Sequence, residues 1–413
     1  MYETQEPVQH ALLIGVDTGA FDAQASIDEL AELAQAAGAE VEGTLLQTRP
    51  QIDNATYIGS GKLEEVKQFC QAHDVDLLIF DDELTGSQIR NLEEKTGRDV
   101  IDRTTLILDI FAKRARSNEG KLQVELAQQK YLLPRLIGAG RKLSRLGGGI
   151  GTRGPGESKL ESDRRHIHRR ISALEEQLEE LSRQRARARA SRAKRDYTTV
   201  AIVGYTNVGK STLLNKLTDA GVLAKDQLFA TLDPTARELL LPDGRRTILV
   251  DTVGLINRLP HQLVQAFHST LEEAAESDLI LNICDASSDR VEEQLAVTRD
   301  LLDQLGCGDI PMLTVYNKTD LLGFCPDQPA NDKSVFISAK EGVGLELLLQ
   351  KIAKNLFAGV KEVELCVPYE KGALLNSVRQ RGKVLAEDFT EEGVLLRLLA
   401  DQRLQNEMAD YMR

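Results

Sequence analysis

The octapeptide GYTNVGKS at residues 204–211 constrains the fold of this chain more than any other stretch. It fits G-x-x-x-x-G-K-[ST], in which backbone N–H groups at a helix N-terminus cradle phosphates. Such a cradle needs a strand before it and a helix after it. The apolar run at residues 200–203 predicts that strand, and residues 213–217 predict the helix. A unit of this kind sits in a mostly parallel sheet with helices packed on it, so an α/β domain is expected here. The implied substrate class is a nucleoside triphosphate. The cradle candidates are Gly204, Tyr205, Thr206, Asn207, Val208, Gly209, Lys210, Ser211 and Thr212. Lys210 is expected to reach the β- and γ-phosphates, and Ser211 to ligate Mg²⁺, which needs few protein ligands because it keeps waters and phosphate oxygens.

Three further motifs follow in order. DTVG (Asp251, Thr252, Val253, Gly254) ends an apolar run at residues 247–250. An Asp there can hold Mg²⁺ through water, and Gly254 can bring its N–H to a γ-phosphate. NKTD (Asn317, Lys318, Thr319, Asp320) follows the apolar run 312–316 and turns "nucleotide" into "guanine". The Asp320 carboxylate can accept from guanine N1–H and its exocyclic amine. Adenine offers neither donor, and a buried unpaired carboxylate rejects it by about 10⁴. Asn317 and Lys318 are expected to brace the loop and flank the base. SAK (Ser338, Ala339, Lys340) follows a run at 335–337, and the Ala339 N–H is placed to meet guanine O6.

Between the first two motifs lies LFATLDPTAR, with Phe229, Ala230 and Thr231 as candidate contacts. A threonine there closes over Mg²⁺ and the γ-phosphate. Thr231 and Thr235 both qualify, and Thr231 is preferred. Lys210, Thr231 and Gly254 form the expected catalytic set. Position 255 is Leu, where Ras-like GTPases carry a Gln that orients the attacking water. Slow intrinsic hydrolysis that depends on a partner is therefore expected. Asn207 has two readings, a turn residue or a ligand for K⁺ beside the developing phosphate charge.

Around this core the chain divides into four expected units: an α/β domain at 1–102, a helical hairpin at 103–196, the GTPase domain at 197–358 and a small α+β unit at 359–413. Strand and helix patterns alternate through the first unit, at 11–16, 26–36, 41–46, 61–72, 76–80, 87–95 and from 100. Ser26 and Glu29 have capping-box spacing. Residues 106–133 read as a helix broken near 118–120, with Pro134 allowing its end. Residues 159–192 read as a second helix, whose Ile167, Ile171, Leu174, Leu178 and Leu181 form a coiled-coil seam. The two make an antiparallel hairpin with a glycine-rich tip at 147–156. The tail reads as strand, helix, two strands and a last helical stretch. YIGSGK at 57–62 lacks phosphate-loop spacing and is expected to start a helix.

Charge is uneven. The chain's net charge is −13, yet residues 103–195 carry 23 Lys/Arg against 10 Asp/Glu, a local +13, so the remainder carries −26. A basic segment inside an acidic protein suits one surface meeting phosphates. A glycine-rich tip can approach RNA closely, and Arg141, Lys142, Arg145 and Arg153 around it can contact RNA phosphates. With no Trp and 4% aromatics, an aromatic base-stacking surface is not expected. The five cysteines show no C-x-x-C pair, which suits a reducing cytoplasm and argues against a zinc site. No run of eighteen apolar residues predicts a membrane span, the first ten residues do not read as a signal peptide, and nothing requires an oligomer, so a cytoplasmic monomer is expected.

The order of these segments, with GGGIGTRGPGESKLESDRRHI in the hairpin and then GYTNVGKS, FATLDPT, DTVGLI, NKTD and SAK, resembles the HflX family of ribosome-associated GTPases, of the TRAFAC class. The likeness spans roughly residues 10–358, and the tail resembles a small C-terminal domain found in part of the family. It implies a cytoplasmic enzyme that hydrolyses GTP with Mg²⁺ and binds the large ribosomal subunit and ribosomal RNA, with its N-terminal region toward the peptidyl-transferase centre. It also implies a role in splitting or rescuing stalled ribosomes under stress, GTP favouring ribosome binding and hydrolysis resetting the factor. In the family a hydrophobic residue replaces the catalytic glutamine, usually Phe, so Leu255 is a departure in detail. The alternative is a ribosome-assembly or RNA-remodelling GTPase. An Era-like protein would carry a KH domain after the GTPase domain, and none is found.

Overall fold

The computed structural model describes residues 8–136, 155–193, 198–218, 235–256, 258, 274–324, 326–328, 331–356, 361–381, 383–400, 404–405 and 408–412. The Arg141, Lys142, Arg145 and Arg153 expectations, and Phe229, Ala230 and Thr231, lie outside the described residues.

The first unit runs β1 (His10–Asp17), α1 (Ala23–Ala37), β2 (Glu40–Thr48), α2 (Ser60–Ala72), β3 (Leu77–Phe80), α3 (Gly86–Thr96) and β4 (Asp99–Asp102). The strands form a parallel sheet in the order β2-β1-β3-β4. Side chains alternate across it. Ala11, Leu13, Leu77 and Ile79 face one hydrophobic cluster, while Leu12, Ile14, Leu78 and Phe80 face another. Strands buried on both faces explain why their sequence reads as continuous apolar runs.

Helix α1 begins earlier than its capping-box spacing predicts. Its N-cap is Asp22, whose carboxylate accepts from Ala25 N at 2.9 Å. Ala23 and Ala25 are buried, so packing draws the extra turn into the helix and leaves Ser26 and Glu29 inside it. A reciprocal capping box does exist on α3, between Thr85 and Gln88.

The break expected near residues 118–120 falls slightly earlier, at 115–117. Helices α4 (Arg103–Arg114) and α5 (Asn118–Leu136) are separate, with the gap before residue 118. Helix α5 contains Pro134 and is described as far as Leu136, close to where the sequence allowed it to end. Helix α6 (Pro155–Ala193) takes in Pro155 and Gly156, which the sequence placed in the tip. It packs on α5 through Leu122, Leu126, Ile171 and Leu174, with Ile167, Leu178 and Leu181 partly buried beside them. Arg170 grips Glu125 with two hydrogen bonds, one of 2.7 Å.

The nucleotide-motif unit contains β5 (Thr198–Gly204), α7 (Lys210–Thr218), β6 (Thr235–Leu240), β7 (Arg246–Asp251), β8 (Leu279–Asp285), α8 (Val291–Gln304), β9 (Met312–Asn317), β10 (Ser334–Phe336) and α9 (Leu345–Leu356). The sheet order is β10-β9-β8-β5-β7-β6, parallel except for β6. The chain leaves β5 toward β7 on one side and returns to β8 on the other. Ligands bind open α/β sheets at such a reversal, outside the carboxyl ends of the strands. All the motif loops lie at that end.

The tail forms β11 (Lys361–Val367), α10 (Gly372–Arg381), β12 (Lys383–Thr390) and β13 (Gly393–Ala400), an antiparallel sheet ordered β11-β13-β12 with its own small core. Of the expected last helical stretch, residues 404–405 are described as helical, and a 3₁₀ turn follows at Ala409–Tyr411. Among the described residues no helix is long and apolar enough to cross a membrane.

Candidate nucleotide site

Strand β5 delivers the phosphate loop and α7 starts at Lys210. Gly204 (φ +151°) has no room for a side chain, because a Cβ would stand 2.2 Å from the Ile283 carbonyl. Gly209 (φ +94°) is equally required, since a Cβ would meet Asn317 Nδ2 at 2.3 Å. Asn207 also lies in the left-handed region, at φ +60°. Asparagine tolerates that conformation, so the turn alone accounts for the residue type.

Lys210 is 7% exposed and donates to the carbonyls of Gly204 (3.0 Å) and Tyr205 (2.7 Å). An ammonium has three donors, and the loop fixes two of them. Burial pushes its pKa down to about 8, with the Asp251 carboxylate pulling the other way. Ser211 Oγ donates to Asp251 Oδ2 at 2.7 Å. A hydroxyl and a carboxylate at this spacing are hard oxygen donors that fit Mg²⁺. Asp251 and Thr252 are fully buried, and Thr252 Oγ1 ties β7 to the Ile202 carbonyl at 2.7 Å.

Beyond Thr252 the DTVG segment is zipped to the phosphate loop. Leu255 N donates to Gly204 O (3.1 Å), and Thr206 N donates to Leu255 O (2.8 Å). Gly254 lies against Thr206, where a Cβ would be 2.8 Å from its Cγ2. Leu255 is 2% exposed and offers no polar side-chain atom to a water.

The guanine motifs are joined to the phosphate loop through Asn317, which is 2% exposed. Its Nδ2 donates to the Val208 carbonyl at 2.7 Å, and its Oδ1 accepts from Ala339 N at 2.9 Å. The Ala339 N–H, expected to meet the base, is thus turned onto Asn317. Asp320 accepts from Ser338 Oγ at 2.6 Å. Lys318 (φ +64°) pairs with Asp285 at 2.7 Å. Thr319 and Thr212 are half-buried and Lys340 is exposed. Thr235, the second threonine considered, opens β6 opposite Asp251.

Over 394 residues the chain is 54% identical to the GTPase HflX of Caldanaerobacter subterraneus subsp. tengcongensis, a match covering 95% of this chain and 91% of that protein. The chain belongs to the HflX family of GTPases. Its identity to the GTPase HflX of Escherichia coli K12 is 40% over 398 residues, covering 95% of this chain and 93% of that one. Residues 24–112 match the family described as GTP-binding GTPase N-terminal, residues 114–192 the GTP-binding GTPase Middle Region, and residues 199–318 the 50S ribosome-binding GTPase. Among solved structures, a GTP-binding protein from the hyperthermophilic archaeon Sulfolobus solfataricus in complex with GDP is similar at 26% identity and a TM-score of 0.46, covering 84% of this chain and 99% of that one.

In this HflX-family chain the first unit also walls the nucleotide site, which the motifs did not indicate. A crevice of about 390 Å³ lies between α1 and the loops. Asp28, Glu29 and Glu32 of α1 line one side, and Tyr205–Val208, Asp285 and Lys318 the other. Burial raises the Glu32 pKa, with Glu29 adding to the shift and Lys318 opposing it. Tyr205 Oη donates to Glu29 Oε1 at 2.8 Å. Arg258, four residues after Gly254, reaches Ser26 Oγ (3.0 Å), Asp81 Oδ2 (3.1 Å) and Asp82. Val253 and Ile256 belong to the same hydrophobic cluster as Ile27, Leu30 and Ile107. Asp285 had a signal, since it ends an apolar strand as Asp251 does. Glu29, Asp81 and Arg103 had none, because long-range pairing leaves no local pattern.

Proposed function

We propose that this GTPase binds the large ribosomal subunit through its basic hairpin, and that its GTP cycle serves to split or rescue stalled ribosomes. The observation that carries the reading is the joining of two features. A nucleotide loop walled by α1 is continuous, through α4 and α5, with a hairpin in a segment of local charge +13. The 50S ribosome-binding description of the matching family over residues 199–318 supports the choice of partner. GTP is held by the loop, with Asp320 selecting guanine and Lys210 meeting the phosphates. Ser211, with Thr231 and with Asp251 through water, would hold Mg²⁺, which when bound neutralises phosphate charge. Leu255 cannot orient a water, so hydrolysis waits on the partner. The cytoplasm is where such a partner is met.

The test is sedimentation with whole ribosomes, in GDP and in a non-hydrolysable GTP analogue, at two salt concentrations. GTP-state binding with separation of the subunits is expected. Stable binding that leaves ribosomes whole would favour the assembly or remodelling reading. Salt-insensitive binding would remove the phosphate-contact role of the hairpin.

A further inference from the structure

Two adjacent buried charges open α4. Asp102 is fully buried and Arg103 is 3% exposed. They face different partners. The Arg103 guanidinium pairs with Glu29 and, at 2.8 Å, with Asp81. Burial works against its charge, and the two carboxylates more than offset that, so its pKa lies above the usual value. Glu29 offers its other oxygen to the Tyr205 hydroxyl of the phosphate loop at 2.8 Å. Asp102 accepts from the Leu84 amide (3.0 Å), from the Tyr131 hydroxyl, and from Arg135 Nη2 at 3.3 Å.

Tyr131 and Arg135 lie in the last turns of α5, the limb that leads into the hairpin tip. The Arg135 guanidinium lies over the Tyr131 ring, 3.3 Å from its centre. Gly86 lets this turn come close, since a Cβ there would be 2.6 Å from the Arg135 carbonyl. The tip-ward end of α5 is therefore fastened to Asp102, and the phosphate loop is fastened to Arg103.

We propose that Glu29 and Arg103 are positioning residues of the nucleotide site contributed by the first domain, and that with Asp102 they carry the state of the phosphate loop to the tip-ward end of α5. Tyr205 presents the carbonyl that holds Lys210 Nζ at 2.7 Å, so Glu29 acts on the lysine through Tyr205. Buried charges tolerate no half-paired intermediate, because stripping one partner leaves an uncompensated ion. Such a network moves between discrete arrangements instead of deforming gradually. Coupling is reciprocal: whatever displaces Arg135 at the end of α5 alters nucleotide affinity by the same factor that nucleotide alters that end. The inference rests on the reading of the hairpin as the RNA contact for its biological use, while the relay itself is intramolecular.

The experiment uses the full chain without RNA. Amide hydrogen exchange is followed at residues 131–135 in GDP and in a non-hydrolysable GTP analogue, and GDP release is timed separately. Wild type is expected to show an exchange difference of about 5-fold or more, the lower end of usual coupling. Tyr205→Phe removes only the hydroxyl that reaches Glu29 and should abolish most of that difference. Arg135→Gln, at the far end, should change GDP release by about 5-fold or more, which a purely local role would not do. The relay is overturned if wild type shows no nucleotide-dependent exchange there, if Tyr205→Phe keeps the full difference, or if Arg135→Gln leaves GDP release unchanged. Loss of ribosome binding in sedimentation bears on the earlier reading alone.

Discussion

Asn317 donates from Nδ2 to the Val208 carbonyl at 2.7 Å, stitching the guanine-recognition loop to the phosphate loop. The same side chain accepts from Ala339 N, so one buried amide holds three loops in register. Asn317→Ala leaves a buried carbonyl and a buried N–H without partners. Each such group costs about 1–3 kcal/mol, so GDP and GTP affinity should each fall by roughly 5- to 150-fold. Titration with a fluorescent guanine nucleotide reads this directly, and an unchanged Kd removes Asn317 from the site's framework.

Base choice is expected to rest on Asp320. Its Oδ1 is oriented by Ser338 Oγ at 2.6 Å, which leaves the carboxylate edge for the base. Asp320→Asn swaps an acceptor for a donor and should shift preference from GTP toward xanthosine triphosphate. Competition between the two nucleotides measures the switch, and retained GTP preference contradicts the assignment.

Lys210 predicts a proton linkage. Its pKa in the free protein is about 8, below the ordinary lysine value, because burial disfavours the charge. The sign is that buried charge costs stability below that pH, and the cost is relieved as pH rises from about 8 toward the unfolded lysine value of about 10.4. A bound triphosphate restores the charge. GTP binding above pH 8 should therefore take up a proton and weaken as pH rises, while near pH 7 this group contributes no uptake. Calorimetry in buffers of different ionisation enthalpy reports the uptake, and no buffer dependence at the higher pH contradicts it.

Leu255 gives two linked expectations. Partner-free turnover should lie far below the ~5–20 s⁻¹ of a GAP-stimulated Ras. Leu255→Gln should not rescue it, because the position is 2% exposed and its backbone is paired with Gly204 and Thr206. The variant instead buries an amide, at about 1–3 kcal/mol. Single-turnover hydrolysis and thermal unfolding separate the two effects, and a strong acceleration by Gln refutes this placement.

Gly86→Ala tests the contact that holds the tip-ward end of α5. The new methyl would stand 2.6 Å from the Arg135 carbonyl, so the backbone must shift. Overpacking of this kind costs about 1–3 kcal/mol. A lowered Tm is expected, and an unchanged Tm would show that α5 yields there freely.

The sequence made the nucleotide loops legible because each motif is local: a glycine with positive φ, a lysine at a helix start, an Asp at a strand end. The hairpin seam was legible for the same reason, through its spacing. Ser26 and Glu29 were misread because capping-box spacing is also local, and burial of Ala23 and Ala25 overrode it. Their partners, Arg258 and Arg103, lie far along the chain and leave no periodic trace.

Arg258 caps the first domain by reaching Asp81, which lies 177 residues earlier in the chain. At a synthesis rate of roughly 5–20 residues per second, the first domain emerges roughly 10–35 s before the arginine that covers it. During that interval Asp82 lacks Arg258, Asp81 has Arg103 alone, and the apolar surface later covered by Val253 and Ile256 is open to water. The first domain thus leaves the ribosome with an unfinished apolar face, which stays uncovered until the nucleotide-motif unit arrives.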